Sequence, residues 1–301
     1  MNARPTQPIP VILDTDIGDD IDDAWALALM LRSPELDLKL VVTDWGDTVG
    51  RARIVAKLLD AAERTDVPIG IGVRLSDTVG RQAPWAADYD LARYPGTVHE
   101  DGVGALIDTI MGAPKPMTLV CIGPNPNIAA ALGREPRIAE RARFVGMYGS
   151  IRKGYGGRRQ IDAEWNVRAS PADCRKVFTA PWEMTITPVD TCSLVVLRGE
   201  KYRAVRDSSD PLARALVASY RVWAQGTDYD PEVQSSVLYD TVAAYLAFRE
   251  DLVVMEDLPI RVTDDGFTRV EEGAKIIRCA TAWRDLGAFE DLLVVRLAGT
   301  P

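Results

Sequence analysis

The amino-acid sequence predicts an α/β fold: a single domain built on a mainly parallel, Rossmann-like central sheet flanked by helices. Short apolar, β-branched runs bounded by turn residues alternate with longer stretches of helical periodicity, which is the pattern of consecutive β-α units. Hydrophobic residues make up 47% and charged residues 26% of the 301 positions, the composition of a soluble globular protein. No internal repeat, low-complexity tract or linker divides the chain, so residues 1–301 are read as one domain with a well-buried core.

The elements follow in order. Pro10 to Leu13 reads as a buried strand, and Asp22 to Leu31 as a helix that sets Trp25 and Leu29 on one face. Leu38 to Thr43 is a second strand and Arg51 to Ala62 the helix after it. Further strands are expected at Met117 to Ile122, Arg143 to Met147 and Glu183 to Val189, each followed by polar or Gly/Pro residues. Helical periodicity returns at Pro211 to Gln225 and Tyr239 to Phe248, while Leu252 to Met255, Leu258 to Val262 and the end of the chain read as short strands.

Bulk properties narrow the function. A net charge of −9 argues against a nucleic-acid polymer as partner, because such a partner calls for a basic patch that displaces counterions from phosphates. No apolar run reaches the roughly 18 residues of a membrane span, and the stretch Met1 to Pro5 runs into a strand rather than a signal-peptide core. A cytoplasmic enzyme with a small-molecule substrate is the expectation. The four cysteines, Cys121, Cys174, Cys192 and Cys279, show no C-x-x-C spacing and are read as free, mostly buried thiols.

Ligands of an open parallel sheet bind beyond the carboxyl ends of its strands. Directly after the first strand, Asp14, Asp16, Asp19, Asp20, Asp22 and Asp23 place six carboxylates within ten residues. One or two acidic side chains at a helix N-terminus cap it or offset its macrodipole. Six exceed that need, and packed like charges raise one another's pKa unless a cation neutralises them. Oxygen-only ligands point to Ca²⁺ or Mg²⁺, and a cluster with room for several oxygens favours Ca²⁺.

Val11 to Gly18 (VILDTDIG) followed by Asp22-Asp23-Ala24 resembles the N-terminal signature of the inosine-uridine-preferring nucleoside hydrolases. Cys121 to Ala129 (CIGPNPNIA) is similar to that family's T-G-P-L-T-N-I-A segment, and Ala163 to Val167 (AEWNV) to its A-E-F-N stretch. Leu238-Tyr239-Asp240 stands where the family has H-D before an apolar helix, and the pieces keep the family's order over roughly residues 9 to 250. The resemblance implies a nucleoside-hydrolase fold and Ca²⁺-dependent hydrolysis of a riboside to free base and ribose. It further implies Asp16, Asp23, Asp240 and the carbonyl of Ile122 as ligands of the ion, Asp16 as general base, Asp22 and Asn166 on the sugar hydroxyls, and Glu164 at the 5′ end. Family members are commonly homodimers or homotetramers, which becomes the expectation here.

The chain also departs from the family. Asp16 and the Asp22-Asp23 pair lie two residues further apart, so Asp20 competes for a ligand role. Asp47 stands where many members have Asn after a Val-Gly pair and is a candidate contact as a charge, and His99, the only histidine, is a candidate substrate contact. Tyr239 replaces the histidine that protonates the leaving base, and a phenol with a pKa near 10 is a poor acid at pH 7 unless its surroundings depress it. Trp45, Tyr155, Trp165 and Trp223 are candidates for stacking on a base, with core packing the competing role. Two other functions stay open: hydrolysis of another ribosylated metabolite, and non-catalytic binding of ribose or a nucleoside.

Overall fold

In a computed structural model, residues 7–299 are described; the Met1 to Pro5 stretch lies outside the described residues. Among the described residues ten strands form one sheet: β1 (Ile9–Thr15), β2 (Leu36–Trp45), β3 (Ile69–Arg74), β4 (Val98–His99), β5 (Met117–Cys121), β6 (Ala142–Met147), β7 (Met184–Thr187), β8 (Val253–Val262), β9 (Thr268–Val270) and β10 (Ile276–Trp283). Their spatial order is β4-β3-β2-β1-β5-β6-β7-β10-β8-β9. All pairings are parallel except β10 with β8 and β8 with β9.

This order explains where a ligand can bind. After β1 the chain builds outward through β2, β3 and β4, then returns to place β5 against the other side of β1. Connections from β1 and β5 therefore leave the sheet in opposite directions, and a crevice opens at the carboxyl ends of these two strands.

Both faces of the sheet are covered, which is why its central strands carry runs such as Val11-Ile12-Leu13 and Leu119-Val120-Cys121 that are apolar on both faces. Val11 and Leu13 of β1 join one buried cluster while Ile12 between them joins the other, the two-residue alternation of a strand set between two cores. The helix Asp22–Leu31 is buried from Asp22 to Met30 and packs on the helices Tyr239–Leu246, Pro211–Trp223 and Leu286–Leu297. That sandwiching accounts for a helix apolar on nearly every side. Among the described residues, no helix is long and apolar enough to cross a membrane.

The expected strands and helices of the first two β-α units and of β5, β6 and β7 occur at the expected places, with ends shifted by a few residues. Three differences are physical. The strands expected at Leu252 to Met255 and Leu258 to Val262 are one strand, because β8 hydrogen-bonds to β10 through its first part and to β9 through its last. The end of the chain is the helix Leu286–Leu297 rather than a strand: Asp285 Oδ1 accepts from the Ala288 amide at 2.9 Å to start it, and Phe289, Leu293 and Leu297 are its buried residues at four-residue spacing. Third, β3, β4 and the helix Gly102–Gly112 add to the expected elements: β4 is only two residues long, and the helix, bounded by glycine at both ends, repeats Val103, Leu106, Ile107, Ile110 and Met111 at helical spacing.

Trp25 is fully buried and meets Tyr220 edge-on, with ring centroids 6.4 Å apart. Trp25→Ala is expected to lower unfolding stability by about 3–5 kcal/mol, the cost of an aromatic-sized cavity. In the same denaturant titration Val295→Ala, at a side chain 72% exposed, should stay within about 0.5 kcal/mol of the native protein. Equal midpoints for the two variants would contradict the packing described.

Candidate active site

β1 carries Asp14 within the sheet and Asp16 one residue beyond its end. The chain then turns through Gly18, whose φ of +124° lies in a region that side chains other than glycine's rarely allow. Asp22 and Asp23 occupy the first turn of the next helix; its N-cap is Ile21, which makes no side-chain cap bond, so the acidic residues here are not caps. Arg51, from the helix Thr48–Ala61, is only 2% exposed and ties this loop down, Nη1 donating to the Ile17 carbonyl at 2.8 Å and Nη2 to Asp19 Oδ2 at 3.1 Å.

The other parts arrive from distant positions. Thr15 Oγ1 donates to Asp23 Oδ1 at 2.5 Å. The Asp240 amide, in the first turn of the helix Tyr239–Leu246, donates to Asp22 Oδ2 at 3.2 Å across 218 residues of chain. Beyond β5, the Ile122 carbonyl accepts from Asn166 Nδ2 at 2.8 Å, and the same nitrogen donates to the Met147 carbonyl at 3.1 Å. Glu164 caps the helix Trp165–Ala169: Oε1 accepts from the Asn166 amide at 2.7 Å, while Oε2 accepts from the Gly149 and Val167 amides at 2.9 and 3.3 Å.

These residues line a cavity of about 510 Å³, within the range of small-molecule sites. Asp16, Asp22, Asp23, Ile122, Glu164, Asn166, Tyr239 and Asp240 all border it, joined by Asp19, Asp20, Arg81, Met147, Tyr155, Trp165 and Trp223. Within it, carboxylate oxygens of Asp22, Asp23 and Asp240 lie within 4.8 Å of one another. Asp16 and Asp20 border the cavity outside this tight trio.

Burial and crowding have a large electrostatic consequence. Loss of hydration, followed by the neighbouring carboxylates, pushes Asp22, Asp23 and Asp240 well above the ordinary carboxylate range. Burial raises Asp16 to about 6 against the opposing pull of Arg51, and raises Asp14 and Glu164 each to about 7. Three buried acids within reach of one point, with a backbone carbonyl on the same wall, make an oxygen-only donor set that fits a hard divalent cation.

Two expected contacts do not belong to this cavity. Asp47 is the N-cap residue of the helix Thr48–Ala61, with Arg74 Nη1 3.7 Å away, and lines a neighbouring hollow with Arg53 and Val79. His99 sits on β4, the outermost strand, where it pairs with Gly70 and lies three strands away from β1. Of the aromatic candidates, Tyr155, Trp165 and Trp223 reach the cavity, whereas Trp45 packs edge-on against Trp165 with centroids 6.0 Å apart. Tyr239 meets Tyr155 edge-on at 5.9 Å, and burial pushes both phenols upward in pKa, so neither is tuned to act as an acid.

Sequence reasoning passed over Arg81, Met147 and Asp44. Asp44 is fully buried near the end of β2, and neither of its carboxylate oxygens has a hydrogen-bond partner among the described residues. It lies behind Asp16: a Cβ on Gly123 would fall 2.8 Å from Asp44 Oδ1 and 3.0 Å from Asp16 Oδ1, so this close approach requires glycine. The strand-end rule that singled out Asp14 and Asp16 applies equally to Asp44. No periodicity or motif marks Arg81.

Known proteins resemble the chain along most of its length. The family model described as inosine-uridine preferring nucleoside hydrolase matches residues 11–285. Non-specific ribonucleoside hydrolase RihC of Escherichia coli is 28% identical over 270 residues, covering 86% of this chain and 85% of that protein. Probable uridine nucleosidase 2 of Arabidopsis thaliana is 26% identical over 271 residues, covering 86% and 83%. In fold, a plant nucleoside hydrolase, the PpNRh1 enzyme, superposes with a TM-score of 0.84 at 22% identity, covering 97% of this chain and all of its own. The purine-preferring ribonucleoside hydrolase of Gardnerella vaginalis superposes with a TM-score of 0.78 at 21% identity, covering 96% and 98%. With the match spanning residues 11–285, the chain belongs to the inosine-uridine preferring nucleoside hydrolase family, enzymes that hydrolyse the N-glycosidic bond of ribonucleosides.

Proposed function

We propose that the protein is a Ca²⁺-dependent ribonucleoside hydrolase that releases free base and ribose, with Asp16 as general base. The observation that carries this reading is the buried trio Asp22, Asp23 and Asp240 with Asp16 on the same cavity wall. Asp16, Asp23, Asp240 and the Ile122 carbonyl would hold the ion. The trio's third member, Asp22, is assigned to the sugar hydroxyls. When bound, Ca²⁺ supplies positive charge that neutralises the cluster and acidifies the water it carries.

The chain's own groups do the rest. Asp16 takes a proton from the attacking water, and the surrounding carboxylates stabilise the positive charge that develops on the ribose ring as the glycosidic bond breaks. Asn166 directs both Nδ2 hydrogens at backbone carbonyls, which leaves Oδ1 to accept from a ribose hydroxyl. Glu164, fixed by three amides, keeps acceptor capacity for the 5′ hydroxyl. Tyr239 donates a hydrogen bond to the aglycone and keeps its proton. The raised Tyr239 also favours a second reading, a ribosylated metabolite whose leaving group departs without protonation. The family resemblance is what supports one domain over residues 1–301 and a cytoplasmic homodimer or homotetramer.

Asp16→Asn is expected to lower kcat on inosine or uridine by about 10²–10⁴-fold, the range of a lost general base. Tyr239→Phe should cost less than about tenfold, as for a hydrogen bond worth about 1 kcal/mol. Release of reducing sugar measures both. An Asp16→Asn enzyme as fast as the native one would remove the proposed base.

Stability should be linked to pH and to the ion. Asp16 and Asp14 rise from 3.8 to about 6 and about 7, so the folded, ion-free chain binds more protons than the unfolded chain between those values and loses stability as pH rises through them. Ca²⁺ replaces those protons, so its stabilising effect grows with pH. Thermal unfolding at about pH 5.5 and about pH 8, with chelator and with Ca²⁺, should show the larger calcium-dependent rise in Tm at the higher pH. A larger rise at the lower pH would refute the linkage.

A further inference from the structure

The position before Asp240 carries a phenol, Tyr239, packed edge-on against Tyr155 with ring centroids 5.9 Å apart, and a phenol with an ordinary pKa of about 10 is a poor acid for a departing base. Arg81 is the one arginine among the residues that line the cavity, which it shares with Tyr155, Trp165, Trp223 and Tyr239, and its charge is opposite to that of the carboxylates there. Arg51, the other arginine near this loop, is buried, with Nη1 and Nη2 donating to the Ile17 carbonyl and Asp19. Among the described residues Arg81 has no hydrogen-bond or ion-pair partner, and the exposed residue borders both this cavity and the neighbouring hollow that Asp47 lines.

Its backbone, by contrast, is fixed. Gly80 packs so closely on the acidic loop that a Cβ there would fall 2.2 Å from the Gly18 carbonyl oxygen. Gln82 is fully buried, its amide donating to that same carbonyl at 2.9 Å and its Nε2 to the Asp20 carbonyl at 2.7 Å, while Ser219 Oγ donates to its Oε1 at 3.1 Å. Trp223 Nε1 donates to the Asp19 carbonyl at 2.7 Å, tying the helix Pro211–Trp223 to the same loop. Arg81 thus stands between two anchored neighbours at the rim of the site.

On the reading of the site as a riboside hydrolase, we propose that Arg81 is a catalytic residue that stabilises the departing base as an anion. The C1′–N bond breaks with its electron pair remaining on the base nitrogen. The water oxygen forms the new bond to C1′, and its proton passes to Asp16. The guanidinium donates to the nitrogen or carbonyl oxygen over which the negative charge spreads, and the base takes its proton from solvent after release. Preorganised donors aimed at developing charge are the effective form of such help. A role confined to balancing the charge of Asp20 would leave the leaving group unaffected.

The test compares two classes of leaving group on the calcium-loaded, full-length protein. Nitrophenolate departs from p-nitrophenyl β-ribofuranoside without assistance, whereas the bases of inosine and uridine need it. Arg81→Met is expected to lower kcat on the nucleosides by about a hundredfold, the scale of a lost transition-state donor, and on the nitrophenyl riboside by less than about fivefold, with Arg81→Lys in between on the nucleosides. Equal losses on both substrates, or no loss on the nucleosides, would overturn the assignment. A native protein that cleaves neither substrate would instead overturn the riboside-hydrolase reading on which it rests.

Discussion

The cost of burying like charges governs this structure. Asp14, Asp16, Asp22, Asp23, Asp44 and Asp240 are each at most 5% exposed, and they gather around the carboxyl ends of β1, β2 and β5. Each would be more stable in water, and each raises the proton affinity of the others. Such a group persists only where a rigid frame holds it together and a proton or a cation neutralises it. The frame is the parallel sheet and the wholly buried helix Asp22–Leu31, both packed tightly enough that relaxation away from the cluster would open the core.

The surrounding contacts make sense as responses to that constraint. Arg51 is drawn out of water to bind the Ile17 carbonyl and Asp19, and Thr15 and the Asp240 amide donate to the carboxylates of Asp23 and Asp22. Asn127 Nδ2 donates to Asp14 Oδ1 at 2.7 Å, giving one buried acid a neutral partner. Asp44 receives no such contact. Tyr155, Trp165, Trp223 and Tyr239 line the same cavity as the carboxylates.

How much of this was legible in the sequence depended on distance along the chain. The cluster from Asp14 to Asp23 is contiguous and follows an apolar strand, so elementary rules for open sheets pointed to it. Asp240 reaches Asp22 only through the packing of two helices 218 residues apart, and nothing local announces that contact; the family resemblance supplied it. Asn166 and Glu164 were found by the same route, but their capping and carbonyl contacts follow from loop geometry that periodicity does not encode. Asp47 and His99 match positions in the sequence, while the folded chain places them outside the cavity that the other candidates line. Arg81 was invisible because its loop has neither pattern nor motif, and its place is fixed by Gly80 and Gln82 docking on residues some sixty positions earlier. The misread terminal strand shows the limit of β-branched content as a signal: Val294 and Val295 sit in a helix because Phe289, Leu293 and Leu297 have a core to enter.

The two ends of the sheet carry a consequence for self-association. β4 has two residues and β9 three, and the part of β8 that β9 does not pair carries Glu256, Asp257 and Pro259. Such edges offer a neighbouring chain almost no continuous ladder of amide and carbonyl groups, and charge and proline obstruct what remains. Joining copies by extending one sheet into the next is therefore disfavoured, and the same edges protect a large, mostly parallel sheet from strand-to-strand aggregation.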